Sequence, residues 1–135
     1  GLQERISQVL EPPLMLPAVG QAALGIECRA DDAALIEMLT ALSDPITRAE
    51  VVAERACLAT LRAGCHAPVG TLTKVDTEAR TLSIDAVVLS ADGTQRVDAS
   101  ETGSVADADL CGQRVADQLR KNGADALLAP ESDGD

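Results

Sequence analysis

The first apolar positions of the chain, Leu2, Ile6, Val9 and Leu10, recur at helical spacing. They predict a short helix that stops where Pro12 and Pro13 cannot continue the hydrogen-bond ladder. The period then changes. Leu24, Ile26 and Cys28 alternate with Ala23, Gly25 and Glu27, the period of two expected of a strand. Asp31 and Asp32 carry the side-chain acceptors of a helix N-terminus, and Ala34, Leu35, Met38, Leu39 and Leu42 follow as a helical stripe, predicting a helix to about Leu42. Asp44 repeats the capping signal with Pro45 at the first helical position, opening a long helix through Leu61 whose inward face is read as Ala49, Val52, Ala56 and Ala59. Gly64 is placed as the left-handed residue that closes it.

Three strands follow, Val69 to Val75, Thr81 to Leu89 and Gln95 to Glu101, the last two joined through Ala91, Asp92, Gly93 and Thr94. Asp-Gly between alternating runs is a strong hairpin signal. Helical spacing returns from about Ala106 to Lys121, with Ala108, Cys111, Val115 and Leu119 along one side and Asn122-Gly123 as the stop. The expected fold is therefore α+β, a three-stranded antiparallel sheet covered by helices. Residues 44–130 form that domain, and 131–135 are an acidic tail expected to be mobile. Residues 1–43, a helix, a strand and a helix that cannot close a core alone, are expected to be the end of a preceding α/β domain. As an autonomous unit, 44 onward should not take Leu24, Ile26 and Cys28 into its sheet.

Composition narrows the function. The chain has 135 residues, 46% of them hydrophobic, enough for one packed domain on the usual prior of roughly 150 residues. It has no aromatic residue, so Ala, Val, Leu and Ile must fill the core. Eleven Lys and Arg face 22 Asp and Glu, a net charge of -11. No cationic cluster interrupts them, which argues against nucleic acid as a partner. No run approaches the roughly 18 apolar residues of a membrane span, and no signal-peptide pattern opens the chain. The expectation is a cytoplasmic protein with no membrane partner. The chain opens GLQERISQVL without Met and is read as part of a longer polypeptide.

Cys28, Cys57, Cys65 and Cys111 are widely and irregularly spaced, with no C-x-x-C pair and no zinc-ligand spacing around Cys57, Cys65 and His66. Reduced thiols and no metal are expected. Cys28, Cys57 and Cys111 lie among apolar neighbours and are read as small buried hydrophobes. Cys65 differs, since it follows a helix-ending glycine and precedes a loop shaped by Pro68 and Gly70. Position alone leaves it divided between a reachable thiol and a buried one. His66 beside it invites a Cys-His nucleophile, but consecutive residues in an extended loop point apart, so a surface histidine is the simpler reading. The small residues of VGQAALG, 19–25, would let backbone approach a ligand, with Gln21 offering donor and acceptor. Glu50 and Glu54, near Arg48 and Arg55, are read as helix-surface ion pairs.

LPAVGQAALGIECR at 16–29, AERACLATLRAGCHAPVG at 53–70, the hairpin and the helix ending near NGA together resemble the C-terminal part of the porphobilinogen deaminase (hydroxymethylbilane synthase) family. The resemblance covers essentially the whole chain. In that family the loop G-G-C-x-x-P-[IV]-G carries a cysteine joined by a thioether to a dipyrromethane cofactor, and here AGCHAPVG places that cysteine at Cys65, with Ala63 for the first Gly. The resemblance implies a monomeric transferase of porphyrin biosynthesis in which porphobilinogen loses ammonia and adds to the tethered primer, the growing pyrrole chain being released as a linear tetrapyrrole. It also implies that Gln21 lines the cofactor cleft, with Ala22 where the family has Gly, and that the catalytic aspartate and the arginines binding acidic side chains lie in the N-terminal domains. No catalytic residue is then assigned in this chain, and alone it is expected to be inactive. The competing readings from the residues are a stand-alone binding module and an independent cysteine-nucleophile enzyme.

Overall fold

In the computed structural model, which describes residues 1–64 and 67–129, helix follows sheet in the order the pattern predicts from Asp44 onward. Helix α1 spans Ala33–Leu42 and α2 Pro45–Leu61, strands β1 Val69–Asp76, β2 Thr81–Leu89 and β3 Arg96–Ser104 follow, and α3 Ala108–Lys121 and α4 Ala124–Leu128 close the chain. The acidic tail, 130–135, lies outside the described residues, as do Cys65 and His66.

Local chemistry starts α1 and α2. The Asp32 carboxylate accepts from the Leu35 amide at 3.1 Å and that of Asp44 from the Thr47 amide at 2.7 Å, each satisfying a donor the first turn leaves orphaned. The bond to the Thr47 amide also holds the Asp44 carboxyl below its usual pKa. The left-handed residue that closes α2 is Arg62, at φ 54°, rather than Gly64. The helix ends at Leu61, so the residue after it must turn to let the Ala63 amide reach the Leu58 carbonyl at 3.2 Å.

The sheet is antiparallel in the order β1-β2-β3, with Gly70 opposite Val87 and Ala86 opposite Ala99. Gly93 takes φ 71° in the β2-β3 connection, and the Asp92 carboxylate accepts from the Ser90 hydroxyl and from the amide and hydroxyl of Thr94. These bonds draw its pKa down to about 2. Leu82, Ile84, Ala86 and Val88 of β2 alternate into the core, where α3 lies over β2 and β3 and α2 over β1.

The buried face of α2 is Ala49, Ala53, Cys57 and Leu61, a four-residue period, and not Ala49, Val52, Ala56 and Ala59. Steric fit explains the difference. A Cβ on Gly112 of α3 would run into the Ala53 carbonyl oxygen and stand 2.9 Å from the Ala56 Cβ. The helices meet at backbone distance, so the row of small residues that permits this approach turns inward, and Val52 stays exposed. On α3 the expected Ala108, Cys111, Val115 and Leu119 are buried, joined by Gly112 and Ala116.

Residues 1–43 depart from the pattern. Only Gln3–Arg5 forms a turn of 3-10 helix where a helix from Leu2 to Leu10 was expected, and Leu2, Ile6, Val9 and Leu10 are exposed. So short a helix is marginal without a surface to pack on. Leu24, Ile26 and Cys28 form no strand either, and Leu24 is 96% exposed. A period-two run becomes a strand only where a neighbour accepts its ladder, and none lies beside it among the described residues. Helix α1 has no buried residue. Among the described residues no helix is long and apolar enough to cross a membrane.

Candidate functional site

Residues 1–43 touch the sheet at Gly70 and Thr71 of β1 and at Arg96 of β3, whose guanidinium donates to the Pro13 carbonyl at 3.5 Å. Ala18 bridges Gly70, the Thr71 amide donates to the Pro17 carbonyl at 2.9 Å, and Val19 packs against the core. Gly70 permits this, since a Cβ there would stand 3.1 Å from the Leu16 Cβ and 3.2 Å from its carbonyl oxygen. The chain then turns on Gly20 at φ 68° and Ala22 at φ 67°, the Gln21 amide donating to the Ala18 carbonyl and the Ala23 amide to the Gly20 carbonyl. Ala22 thus holds a left-handed conformation that favours glycine, at a cost of roughly 1–2 kcal/mol. Between them Gln21 is exposed.

Gly64 and Ala67 are the described residues on either side of Cys65 and His66. The Ala67 amide donates to the Gly64 carbonyl at 3.0 Å, the Leu89 amide to the Pro68 carbonyl at 3.0 Å, and Ala63 and Ala67 both pack on the core. Gly64 itself is exposed, and a Cβ there would meet nothing within 4 Å among the described residues. Two residues after Pro68 the chain is at Gly70, against Leu16. Leu16, Pro17 and Ala18, which lead into the Gln21 turn, are thus seated on the start of β1.

Helix α2 supplies the polar side chains. The Glu54 carboxylate accepts from the Gly20 amide at 2.7 Å. The expected surface ion pairs of Glu50 and Glu54 with Arg48 and Arg55 are not formed, no such pair standing among the described residues. Glu50 is instead half-buried, and desolvation raises its carboxyl pKa. Arg48 and Arg55 line an open groove of ≈ 730 Å³ floored by Val19, Gly20, Leu39, Val51 and Leu58. Their seven-residue spacing puts both on one helix face two turns apart. That spacing is visible in the sequence, yet it is also what two unrelated surface arginines would show. Asp44 is the acid on the same groove.

The other thiols separate sharply. Cys57 and Cys111 are wholly buried, and burial pushes the Cys57 pKa up to about 12 and raises that of Cys111. Cys28, expected to be buried, is exposed and lines the groove, because the strand that would have covered it is not formed. Under native conditions near pH 8, iodoacetamide is expected to label Cys28 within minutes and to leave Cys57 and Cys111 unlabelled until denaturant is added. Peptide mass mapping before and after denaturation reads the difference, and native labelling of Cys57 would contradict the packing of α2 on α3.

Comparison with known proteins bears on both halves of the chain. Residues 48–121 match the family model described as porphobilinogen deaminase, C-terminal domain, and residues 1–37 the one described as porphobilinogen deaminase, dipyromethane cofactor binding domain. The chain is 43% identical to the porphobilinogen deaminase of Nostoc sp., over 95% of this chain and 39% of the relative. It is 47% identical to that of Acidothermus cellulolyticus, over 98% of this chain and 41% of the relative. With that of Desulforudis audaxviator the identity is 45%, over 96% and 41%. The chain spans about two fifths of the length of these curated relatives.

Proposed function

This chain belongs to the porphobilinogen deaminase family, and on that premise we propose that it is the C-terminal portion of a transferase that condenses porphobilinogen units, with loss of ammonia, into the linear tetrapyrrole hydroxymethylbilane. Cys65 is the residue that anchors the dipyrromethane, through a thioether at its sulfur. The observation that carries this reading is the docking of Pro17 and Ala18, which lead into the Gln21 turn, on Gly70 and Thr71 of β1, the strand that follows Cys65 in the chain. The segment whose family description names cofactor binding meets there the segment that supplies the thiol.

The residues fit such a group. Cys57 and Cys111 are sealed in the core, whereas Gly64, the residue before Cys65, is exposed. The groove volume falls within the roughly 300–1,000 Å³ of small-molecule sites, and Arg48 and Arg55 along it suit acidic pyrrole side chains. When bound, the group supplies the nucleophilic pyrrole carbon to which substrate adds. Cys65 itself holds and does not turn over, since a thioether resists the hydrolysis that would release a thioester. Gln21, exposed at the turn and with no side-chain hydrogen bond among the described residues, orients polar edges of what lies in the cleft.

Residues 1–43 are the end of the preceding domains and 44–130 the anchoring domain. Support comes from the core, drawn from Ala49 to Ala124, and from Leu2, Ile6, Val9, Leu24, Ile26 and Met38, which lie exposed on the other side of that division. So much uncovered apolar surface on one short segment is the mark of an interface, and the remaining domains of the enzyme are its partner.

Alone, the chain is expected to form no tetrapyrrole from porphobilinogen above the uncatalysed background. Condensation needs a carboxylate and several cations placed around an acidic substrate. Two arginines in a chain of net charge -11 do not supply that field. Absorbance of the oxidised product measures it, and turnover by the purified chain would place the chemistry within these residues.

A further inference from the structure

The Glu54 to Gly20 hydrogen bond spans 34 residues and joins α2 to the turn that carries Gln21. It is the shorter of the two side-chain bonds that tie residues 1–43 to the remainder among the described residues, the other running from Arg96 to the Pro13 carbonyl at 3.5 Å. The turn cannot satisfy this amide itself. The Ala18 carbonyl is taken by Gln21 and the Gly20 carbonyl by Ala23, while Gly20 at φ 68° aims its own N–H outward at the helix. Glu54 makes no ion pair among the described residues, so its charge is directed at this one donor, which makes the bond charge-assisted. Glu54 lies beside the packed row, next to Ala53 and off it, so the core does not depend on it.

We propose that Glu54 is a positioning residue, whose carboxylate holds the Gly20-Gln21 turn on α2 so that Gln21 keeps one orientation at the groove that Gly20 and Ala23 line. The inference rests on the reading of the site above and adds to it the device that fixes its geometry. The turn is held at Gly70 on one side of Cys65 in sequence and at Glu54 on the other. Without Glu54 it keeps the sheet contact and loses its orientation.

Amide hydrogen exchange on this chain tests the contact. In Glu54→Leu the Gly20 amide is expected to exchange about tenfold faster, with the Ile84 and Val115 amides unchanged, and in Glu54→Gln, which keeps an acceptor, Gly20 stays within threefold of wild type. Unchanged exchange at Gly20 in Glu54→Leu overturns the proposal. The full-length enzyme tests the role. Glu54→Leu and Gln21→Ala are each expected to lower kcat about tenfold, the double variant no further, and Glu54→Gln to restore most of the loss. Additive losses, or a Glu54→Gln as slow as Glu54→Leu, would show that Glu54 does not act through Gln21. Failure of the site reading has a separate signature. A wild-type enzyme without a Cys65 adduct would refute the anchor and leave the exchange result as it stands.

Discussion

Replacing Gly112 with alanine is expected to destabilise the chain by ~3 kcal/mol, at the upper end of what overpacking costs, and valine should abolish the native fold. The added Cβ would meet the Ala53 carbonyl oxygen and carbon and the Ala56 Cβ, and carbonyl groups inside a helix cannot swing aside as a flexible side chain can. The helices would have to separate. That would open contacts along the whole face formed by Ala49, Ala53 and Cys57 against Ala108, Cys111 and Val115. Gly25→Ala is the control, since a Cβ there meets nothing within 4 Å, and it should change stability by less than ~0.5 kcal/mol. Urea titration followed by far-ultraviolet circular dichroism measures both, the chain having no aromatic residue to report by fluorescence. A Gly112→Ala midpoint equal to wild type would mean that α2 and α3 do not pack at this distance.

The second large effect is chemical. In the full-length enzyme Cys65→Ser is expected to lose both the bound dipyrromethane and tetrapyrrole formation, down to background. A hydroxyl stays protonated and poorly nucleophilic where a thiol can ionise, so the primer would not be attached. Cys28→Ser should keep the adduct and most of the activity. Cys111→Ala should keep the adduct while losing ~1 kcal/mol of stability to the space left in the core. Full activity of Cys65→Ser would remove the anchor from this loop.

The features legible in the sequence are those set by a few adjacent residues. Asp44 followed by Pro45 starts α2 where a cap and a donor-free first position require it, and Asp92-Gly93 turns the β2-β3 hairpin because glycine tolerates the positive φ there. The α3 stripe was legible because its period follows from one buried face. Properties settled at a distance were not. The inward row of α2 is chosen by Gly112, more than fifty residues later in the chain, and only with that glycine in place does Ala53 win over Val52. Leu24, Ile26 and Cys28 have strand periodicity without a partner to pair with. Glu54 looks like any solvated helix acid until Gly20 is beside it.

For the candidate site, the resemblance named Cys65 and Gln21 from their motifs. It did not reveal how the two segments meet, because the docking depends on a close approach at Gly70 that no local pattern encodes. Arg48 and Arg55 were equally hidden, since only the groove distinguishes them from surface charge.

The central claim, that Cys65 is the covalent anchor, is tested most directly by proteolytic peptide mass mapping of the cofactor-loaded full-length enzyme. The account predicts the dipyrromethane mass on the peptide containing Cys65, with Cys28, Cys57 and Cys111 unmodified. The same mass on a peptide containing any of those three, with Cys65 free, would contradict it.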